Sequence, residues 1–395
     1  MSTLKTTGIF TEFFNSEKSG GLILIFCTII SVAVANSSVG DAYLHFWHTN
    51  LDLSFTTMKL NHSIEEWIND GLMSVFFLLV GLEIERELYI GELSDFRNAL
   101  LPIIAAIGGM AIPALFHFLF NHNTSTQSGI GIPMATDIAF ALGILSLAGN
   151  KIPPSVKIFL TALAIIDDLG AVIIIAVFYT KDLSVLNLSV AFVIFILLLA
   201  FNRMKIKNLL FYIIPGIAMW YFMLKSGVHA TITGILLAFA IPFDKDGSNL
   251  SEKVQHFLHK PVAFLILPLF ALANTGIILA KGWHLTLLSN NSIGIVAGLF
   301  FGKPMGILLF SVAAIKMKLC RLPHEMHWEY LSGVGALAGL GFTMSIFITN
   351  LAFQDADIIQ NSKIAILTAS MFAGILGFLL LKKASRKMPH NLQPD

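Results

Sequence analysis

Asp167 and Asp168 stand side by side in Thr161-Ala-Leu-Ala-Ile-Ile-Asp-Asp-Leu-Gly-Ala-Val-Ile-Ile-Ile-Ala-Val-Phe178, a run with no other charge. One carboxylate at the centre of a bilayer costs roughly 2.5–3.5 kcal/mol on the insertion scale. Two adjacent ones require a cation, a proton or a buried positive partner. Together they can hold one desolvated hard cation through oxygen, or two protons, or one of them can be taken up in a salt bridge. Neighbours on a helix diverge by roughly 100°, so one of the pair faces a cavity more fully than the other. The chemistry these residues point to is the handling of ions or protons.

Two further ionisable groups sit in apolar surroundings. Asp137 lies in Gly129-Ile-Gly-Ile-Pro-Met-Ala-Thr-Asp-Ile-Ala-Phe140, and Lys303 in Gly298-Leu-Phe-Phe-Gly-Lys-Pro-Met-Gly306. Gly131 and Pro133 weaken a helix, because proline lacks an N–H and clashes with the preceding turn. A broken span leaves unpaired amides and carbonyls that must face protein or a wet cavity, and transporters bind ions at such breaks. Gly333-Val-Gly-Ala-Leu-Ala-Gly-Leu-Gly-Phe-Thr343 carries a matching weakness. If the two breaks cross, their helix ends present paired positive and paired negative poles. Asp137 could offset the positive pair and Lys303 the negative pair; direct ion handling by Asp137 and proton carriage by Lys303 are the alternatives. Thr136 and backbone carbonyls of the broken span could add oxygens around a cation held by Asp167 and Asp168.

The elements that position these groups are membrane helices. The chain is 56% hydrophobic and 12% charged, with 33 Phe, against about 25% charged in a soluble domain. Its near-zero net charge suggests no nucleic-acid partner, and Cys27 and Cys320 form no disulfide pattern. Runs of about 17–25 apolar residues fall near 20–36, 66–85, 98–120, 130–148, 154–179, 184–201, 208–224, 226–242, 261–279, 290–313, 328–350 and 363–381. With the N-terminus inside and sides alternating, nineteen Lys/Arg fall on the cytoplasmic side and five outside. Those twenty-four leave one of the 25, Lys303, at membrane depth. The expectation is an all-α integral membrane protein of twelve transmembrane helices with both termini cytoplasmic.

The whole chain, 1–395, reads as one transmembrane transporter domain. Residues 1–19 form an N-terminal segment, in which Ile9–Phe14 is either a short interfacial helix or a disordered tail. No basic region and cleavage site precede the first span, which is expected to be retained as an anchor. Residues 382–395 are a cytoplasmic tail. The outer loop 41–62 alternates around Asn50 as a β-hairpin would, and its free edge could pair with a second subunit.

Taken in order, Gly81-Leu-Glu-Ile-Glu-Arg-Glu-Leu88, Pro133-Met-Ala-Thr-Asp-Ile-Ala-Phe140, Leu163-Ala-Ile-Ile-Asp-Asp-Leu169, Ser226-Gly-Val-His-Ala-Thr231, Leu267-Pro-Leu-Phe-Ala-Leu-Ala-Asn274, Phe301-Gly-Lys-Pro304 and Gly339-Leu-Gly-Phe-Thr-Met-Ser345 resemble the NhaA-type bacterial sodium/proton antiporters over nearly the whole chain. The resemblance implies discontinuous fourth and eleventh helices, inverted-topology repeats, a homodimer joined by the outer hairpin, and residence in the cytoplasmic (inner) membrane. It implies that Asp167 and Asp168 are the cation- and proton-binding pair, that Thr136 and Asp137 belong to the broken fourth helix, and that Lys303 is the lysine of the tenth. Glu83, Arg86 and Glu87 match the charged cytoplasmic end of the second helix. His229 matches a histidine associated with pH response. In Val254-Gln-His-Phe-Leu-His-Lys260 some members carry an acid where this chain has Gln255, leaving His256 and His259 as candidate titrating groups.

The expected activity is electrogenic exchange of one sodium ion outward for two protons inward, with lithium also accepted, no cofactor, and activation at alkaline pH. Sodium and protons compete for one coupled carboxylate pair, so some alkaline activation follows without a separate sensor. Glu83, Glu85, Arg86 and Glu87 could add a sensor, could focus cations at the inner mouth, or could be a solvated helix end; His229 could equally be a packing residue. Three rivals compete. A sodium-coupled symporter of an organic anion needs an anion site. An intramembrane aspartyl protease would leave Asp168 unexplained, and a passive channel would need a selectivity filter.

Overall fold

The computed structural model describes residues 17–54, 60–149, 152–180, 182–244, 250–323 and 325–386. The interfacial helix expected at Ile9–Phe14, residues 55–59 of the outer loop and the tail beyond 386 lie outside the described residues. What is described is almost wholly helical, as a chain in hydrocarbon must be if every backbone amide is to be satisfied internally.

In chain order the helices of nine residues or more are α1 (Glu17–Ala35), α2 (Gly40–His48), α3 (Ile64–Tyr89), α4 (Phe96–Asn121), α5 (Ile138–Leu147), α6 (Pro154–Phe178), α7 (Val185–Arg203), α8 (Leu210–Ser226), α9 (Ile232–Ala240), α10 (Leu250–Asn274), α11 (Asn290–Lys316), α12 (Trp328–Ala338), α13 (Phe342–Ala352) and α14 (Ala356–Arg386). A 3₁₀ stretch, Gln127–Met134, leads into α5. Helices α3, α10 and α11 each contain a wide π turn, at Trp67–Leu72, Val262–Ile266 and Ala297–Gly302.

Among the described residues, eight helices are long and apolar enough to cross a membrane, and up to ten spans result if each of two bent pairs counts as one. The seventh and eighth apolar runs fold as the shorter pieces α8, 17 residues, and α9, 9 residues. At 1.5 Å per residue α9 rises about 13 Å, less than half of a hydrocarbon core of about 30 Å. Gly227 ends α8 in the left-handed region at φ 83°, and the chain turns through Val228–Thr231 before α9 begins.

The outer loop holds the expected hairpin, preceded by a helix. Residues Gly40–His48 are helix, because Tyr43 and Trp47 lie one turn apart on one face, with rings in edge contact at 5.9 Å. Tyr43 Oη donates to Leu272 O at 2.7 Å. Two short antiparallel strands follow, β1 (Asn50–Asp52) and β2 (Asn61–Ser63), pairing Asn50 with Ser63 and Asp52 with Asn61. The chain therefore reverses between 53 and 60.

The molecule divides into two compact units: Met1–Phe26 with Glu92–Ala171 and Leu279–Asp395, and Cys27–Gly91 with Val172–Ile278. The first unit contains both interrupted spans. Its core packs Leu101, Ala105, Leu160, Leu163, Val334 and Leu337. Here α4 and α11 approach at Gly108 and Gly306, where an added Cβ on Gly108 would meet the Gly306 carbonyl and stand 2.7 Å from Phe310 Cβ. The second unit has its own core of Leu82, Leu198, Tyr212, Met219 and Ala238.

Candidate ion-binding site

Every intramembrane charge singled out in the sequence lies in the first unit, and all are buried: Asp167 and Lys303 at 0% exposure, Asp168 at 1%, Asp137 at 2%, with Thr136 at 0%. Asp167 and Asp168 project from the middle of α6. Lys303 follows directly on the π turn of α11. Thr136 and Asp137 occupy the extended link between the 3₁₀ stretch and α5, where Pro133 and the preceding glycines stop a regular helix.

Lys303 Nζ lies 2.9 Å from Asp167 Oδ2 and also donates to the Met134 carbonyl. The Thr136 hydroxyl donates to the same Asp167 Oδ2 at 2.7 Å and stands 3.0 Å from the Ala338 carbonyl. Asp167 Oδ1 is buried and, among the described residues, has no hydrogen-bond partner. Asp168 is close enough to Lys303 to feel its charge. The arrangement brings Asp167, Asp168, Lys303 and Thr136 together. One of the alternatives read in the sequence, a salt bridge between Lys303 and one carboxylate, is present and falls on Asp167.

Asp137 does different work. It caps α5, accepting from Phe140 N at 2.9 Å through Oδ1. Its Oδ2 accepts from Thr343 N at 3.1 Å and from the Thr343 hydroxyl, at the start of α13. Its backbone N–H donates to Leu340 O at 2.6 Å, and Ser345 Oγ donates to Ile132 O at 2.7 Å. One carboxylate thus meets the positive ends of two helices. The pair α12 and α13 is bent by 41° at Gly339–Gly341, and the interruption at 135–137 is hydrogen-bonded to it along its length. Thr343 and the carbonyls of Met134, Ala338 and Leu340 were not assigned from sequence. Backbone acceptors leave no signal in residue type; a threonine directly after a glycine-rich break was the available clue to Thr343.

A family model described as Na+/H+ antiporter 1 matches residues 11–381. The chain belongs to that family. It is 60% identical over 380 residues to the Na(+)/H(+) antiporter NhaA of Flavobacterium psychrophilum, covering 96% of this chain and 97% of that protein. The like-named protein of Dechloromonas aromatica is 57% identical over 382 residues, 95% and 96% of the two chains. Na(+)/H(+) antiporter NhaA 1 of Clostridium beijerinckii is 44% identical over 378 residues, 94% of each.

The remaining candidate residues of this family member lie in the second unit. On the last turns of α3, Arg86 pairs with Glu87 at 2.9 Å. Glu85, 3% exposed, accepts from Ser251 Oγ of α10 at 2.9 Å, so it ties two helices together. Glu83 and His229 are half-buried, whereas His256 and His259 are exposed on the first turns of α10 next to the buried Gln255. Asn69 and Asn274 exchange side-chain hydrogen bonds at 3.2 and 2.8 Å. The asparagine of α10 stood in a quoted motif without an assigned role.

Proposed function

We propose that this chain is a sodium/proton antiporter of the bacterial cytoplasmic membrane, exporting one sodium ion, or one lithium ion, for two protons taken in, and running faster at alkaline pH. Family membership supports the class: the relatives carry antiporter names, which describe secondary transporters and not enzymes. The observation that carries the reading is Asp167, with one oxygen engaged by Lys303 and Thr136 and the other without a donor among the described residues, next to a second buried carboxylate.

In this reading a sodium ion entering the site displaces the Lys303 ammonium from Asp167. It gathers oxygens from Asp167, Asp168 and the Thr136 hydroxyl, and Lys303 keeps the Met134 carbonyl. Protons on the two carboxylates occupy the same oxygens, so the cargoes exclude each other and the loaded site faces alternate sides. Two protons against one sodium moves one net charge per cycle, so the flux responds to membrane voltage. Asp137 and Lys303 serve as counter-charges to the ends of the interrupted helices. Glu83, Glu85, Arg86 and Glu87, with His229, His256 and His259, serve as an inner-mouth attractor and pH-responsive group.

The architecture that fits this cycle has twelve spans, with α8 and α9 as the seventh and eighth, α9 completed by its non-helical lead. The broken fourth and eleventh spans cross within inverted repeats, both termini are cytoplasmic, and a homodimer forms through β1 and β2. A symporter of an organic anion is less well supported, because the one buried lysine of the site is committed to Asp167.

The test is sodium-driven proton flux in proteoliposomes. Flux that rises toward alkaline pH and is lost in Asp168→Asn supports exchange at the pair. Flux that survives this change moves the site to Asp137. No sodium-dependent proton movement in the wild type at any pH overturns antiport and returns symport to the front.

A further inference from the structure

At one end of the first unit, away from the carboxylates, a cavity of about 820 Å³ opens among the first turns of α4 and α6 and the loop that follows α11. Two helices begin there and a third ends there, so the opening belongs to one membrane face. Three cations border it: Arg97 on α4, and Lys318 and Arg321 on the loop. Among the described residues none of the three takes part in an ion pair. The lining contains no acidic side chain. The neighbouring Asp95 carboxylate is occupied in capping α4, accepting from Arg97 N at 2.9 Å. Burial pushes the Cys320 thiol up, so it adds no negative charge to the wall. Ser155 lines the cavity, its Oγ enclosed and with no hydrogen-bond partner among the described residues. The inner wall is apolar, formed by Leu101 and Phe159, and the outer flank exposes Phe96, Ile158 and Leu319 at 72%, 42% and 53%.

The loop holds its cations in a defined place. Leu319 N closes on Ala314 O at 3.0 Å and Lys318 N on Ile315 O at 3.0 Å, the hydrogen-bond pair that ends a helix on a left-handed residue. That residue is Lys318, at φ 59°. The position favours glycine, yet it holds a lysine, which lines the cavity with Arg97 and Arg321.

We infer that this cavity is a binding site for the phosphodiester headgroup of an acidic phospholipid. Its cations would meet the phosphate, with acyl chains lying along the exposed apolar flank. Basic pockets between helix ends at a membrane surface bind such headgroups. Bidentate arginine suits phosphate oxygens, and the helix N-terminus of α6 adds to the attraction. The apolar half of the lining favours a lipid over a free phosphate, which would leave that surface wet. A seated lipid would tie together the ends of α4, α6 and α11, the last two of which carry Asp167, Asp168 and Lys303. The inference does not rest on the proposed antiport, because binding is read without transport.

The experiment uses the full chain, delipidated in detergent, with bound lipid counted by native mass spectrometry as phosphatidylglycerol, phosphatidylcholine or inorganic phosphate is titrated in. Phosphatidylglycerol should bind well above phosphatidylcholine. Each of Arg97→Gln, Lys318→Gln and Arg321→Gln should weaken it about fivefold, and the triple variant about a hundredfold. Ser155→Phe, which fills the cavity and keeps every charge, should also lose the lipid; unchanged retention there would mean diffuse attraction to a basic surface and would overturn the site. Equal binding of the two lipids by the wild type, or displacement of phosphatidylglycerol by millimolar inorganic phosphate, would overturn it as well. If the triple variant does not fold, the single variants and Ser155→Phe decide the question.

Discussion

The two interrupted spans meet, yet they contribute unlike things. The break at 135–137 supplies side chains: Thr136 reaches Asp167 and Ala338 O, and Asp137 caps α5 and holds the start of α13. The break at Gly339–Gly341 supplies backbone: the carbonyls of Ala338 and Leu340 and the amide of Thr343. A residue with no Cβ lets two backbones close to bonding distance, while a residue with a short polar side chain can satisfy both at once. The pairing of a polar break with a bare one lets a single carboxylate serve two helix ends. Two breaks that both carried acids would place two negative charges where one suffices.

If the breaks are scaffold and Asp167 with Asp168 is the carrier, substitutions should separate the two roles. Asp168→Asn and Asp167→Asn should each remove sodium-driven proton flux to background, while the thermal midpoint in detergent changes little or rises for Asp168→Asn. For Asp168→Asn, a lost flux accompanied by a collapsed midpoint would break the distinction; Asp167→Asn also strips Lys303 of its carboxylate, so its midpoint should fall. Asp137→Ala and Lys303→Gln should act in the opposite way. Each strips the partner from buried charged or polar groups, and a cost of about 3–5 kcal/mol is expected in unfolding measurements. Asp137→Asn should recover much of its share, because the amide oxygen can still cap one helix.

Gly339→Ala tests the bare break. A Cβ there would stand 2.5 Å from Leu299 O and 3.1 Å from Ala336 O, so backbone must shift, at a cost of about 1–3 kcal/mol. Stability measurements should place it below Asp137→Ala. The reverse order would mean that close backbone approach, and not the carboxylate, holds the two breaks together.

The pH dependence follows from competition. Protonation of the carboxylates at low pH removes the anionic oxygens a sodium ion needs, so apparent sodium affinity falls as pH falls. The drop should approach a hundredfold per pH unit where two protons compete, and about tenfold where one does. Sodium titrations of flux at several pH values separate the two. The smallest effect is expected at the ends of α3 and α10: Glu85→Gln keeps the Ser251 contact and removes a charge. It should shift apparent sodium affinity a few-fold at low salt and less at high salt.

Much of the site was legible because charge in an apolar run has few permitted meanings. Asp167, Asp168, Asp137 and Lys303 announced themselves by costing too much to be idle, and glycines with Pro133 marked the broken span. What was not legible is which of them touch. Asp167 and Lys303 are far apart in sequence, and neither residue type tells which carboxylate of the pair faces the ammonium. Hydrophobic runs counted spans well where they were long, as in α4, α6 and α14. They could not show that Gly227 and His229 would leave α9 so short. Alternation around Asn50 pointed to the hairpin that β1 and β2 form, but not to the helix Gly40–His48 before it, where Tyr43 and Trp47 stand one helical turn apart.

The wide turn Ala297–Gly302 immediately precedes Lys303. A π turn holds one residue more than an α-helix of the same rise, so it is a place where a chain has taken in an extra residue without turning what lies on either side. Removing one residue from within Ala297–Gly302 should let α11 close into regular α-helix and leave Lys303 still aimed at Asp167. The same deletion between Lys303 and Gly306 would swing the remainder of the helix by roughly a quarter turn and carry Gly306 away from Gly108. The length of this helix is therefore negotiable on one side of its lysine and not on the other.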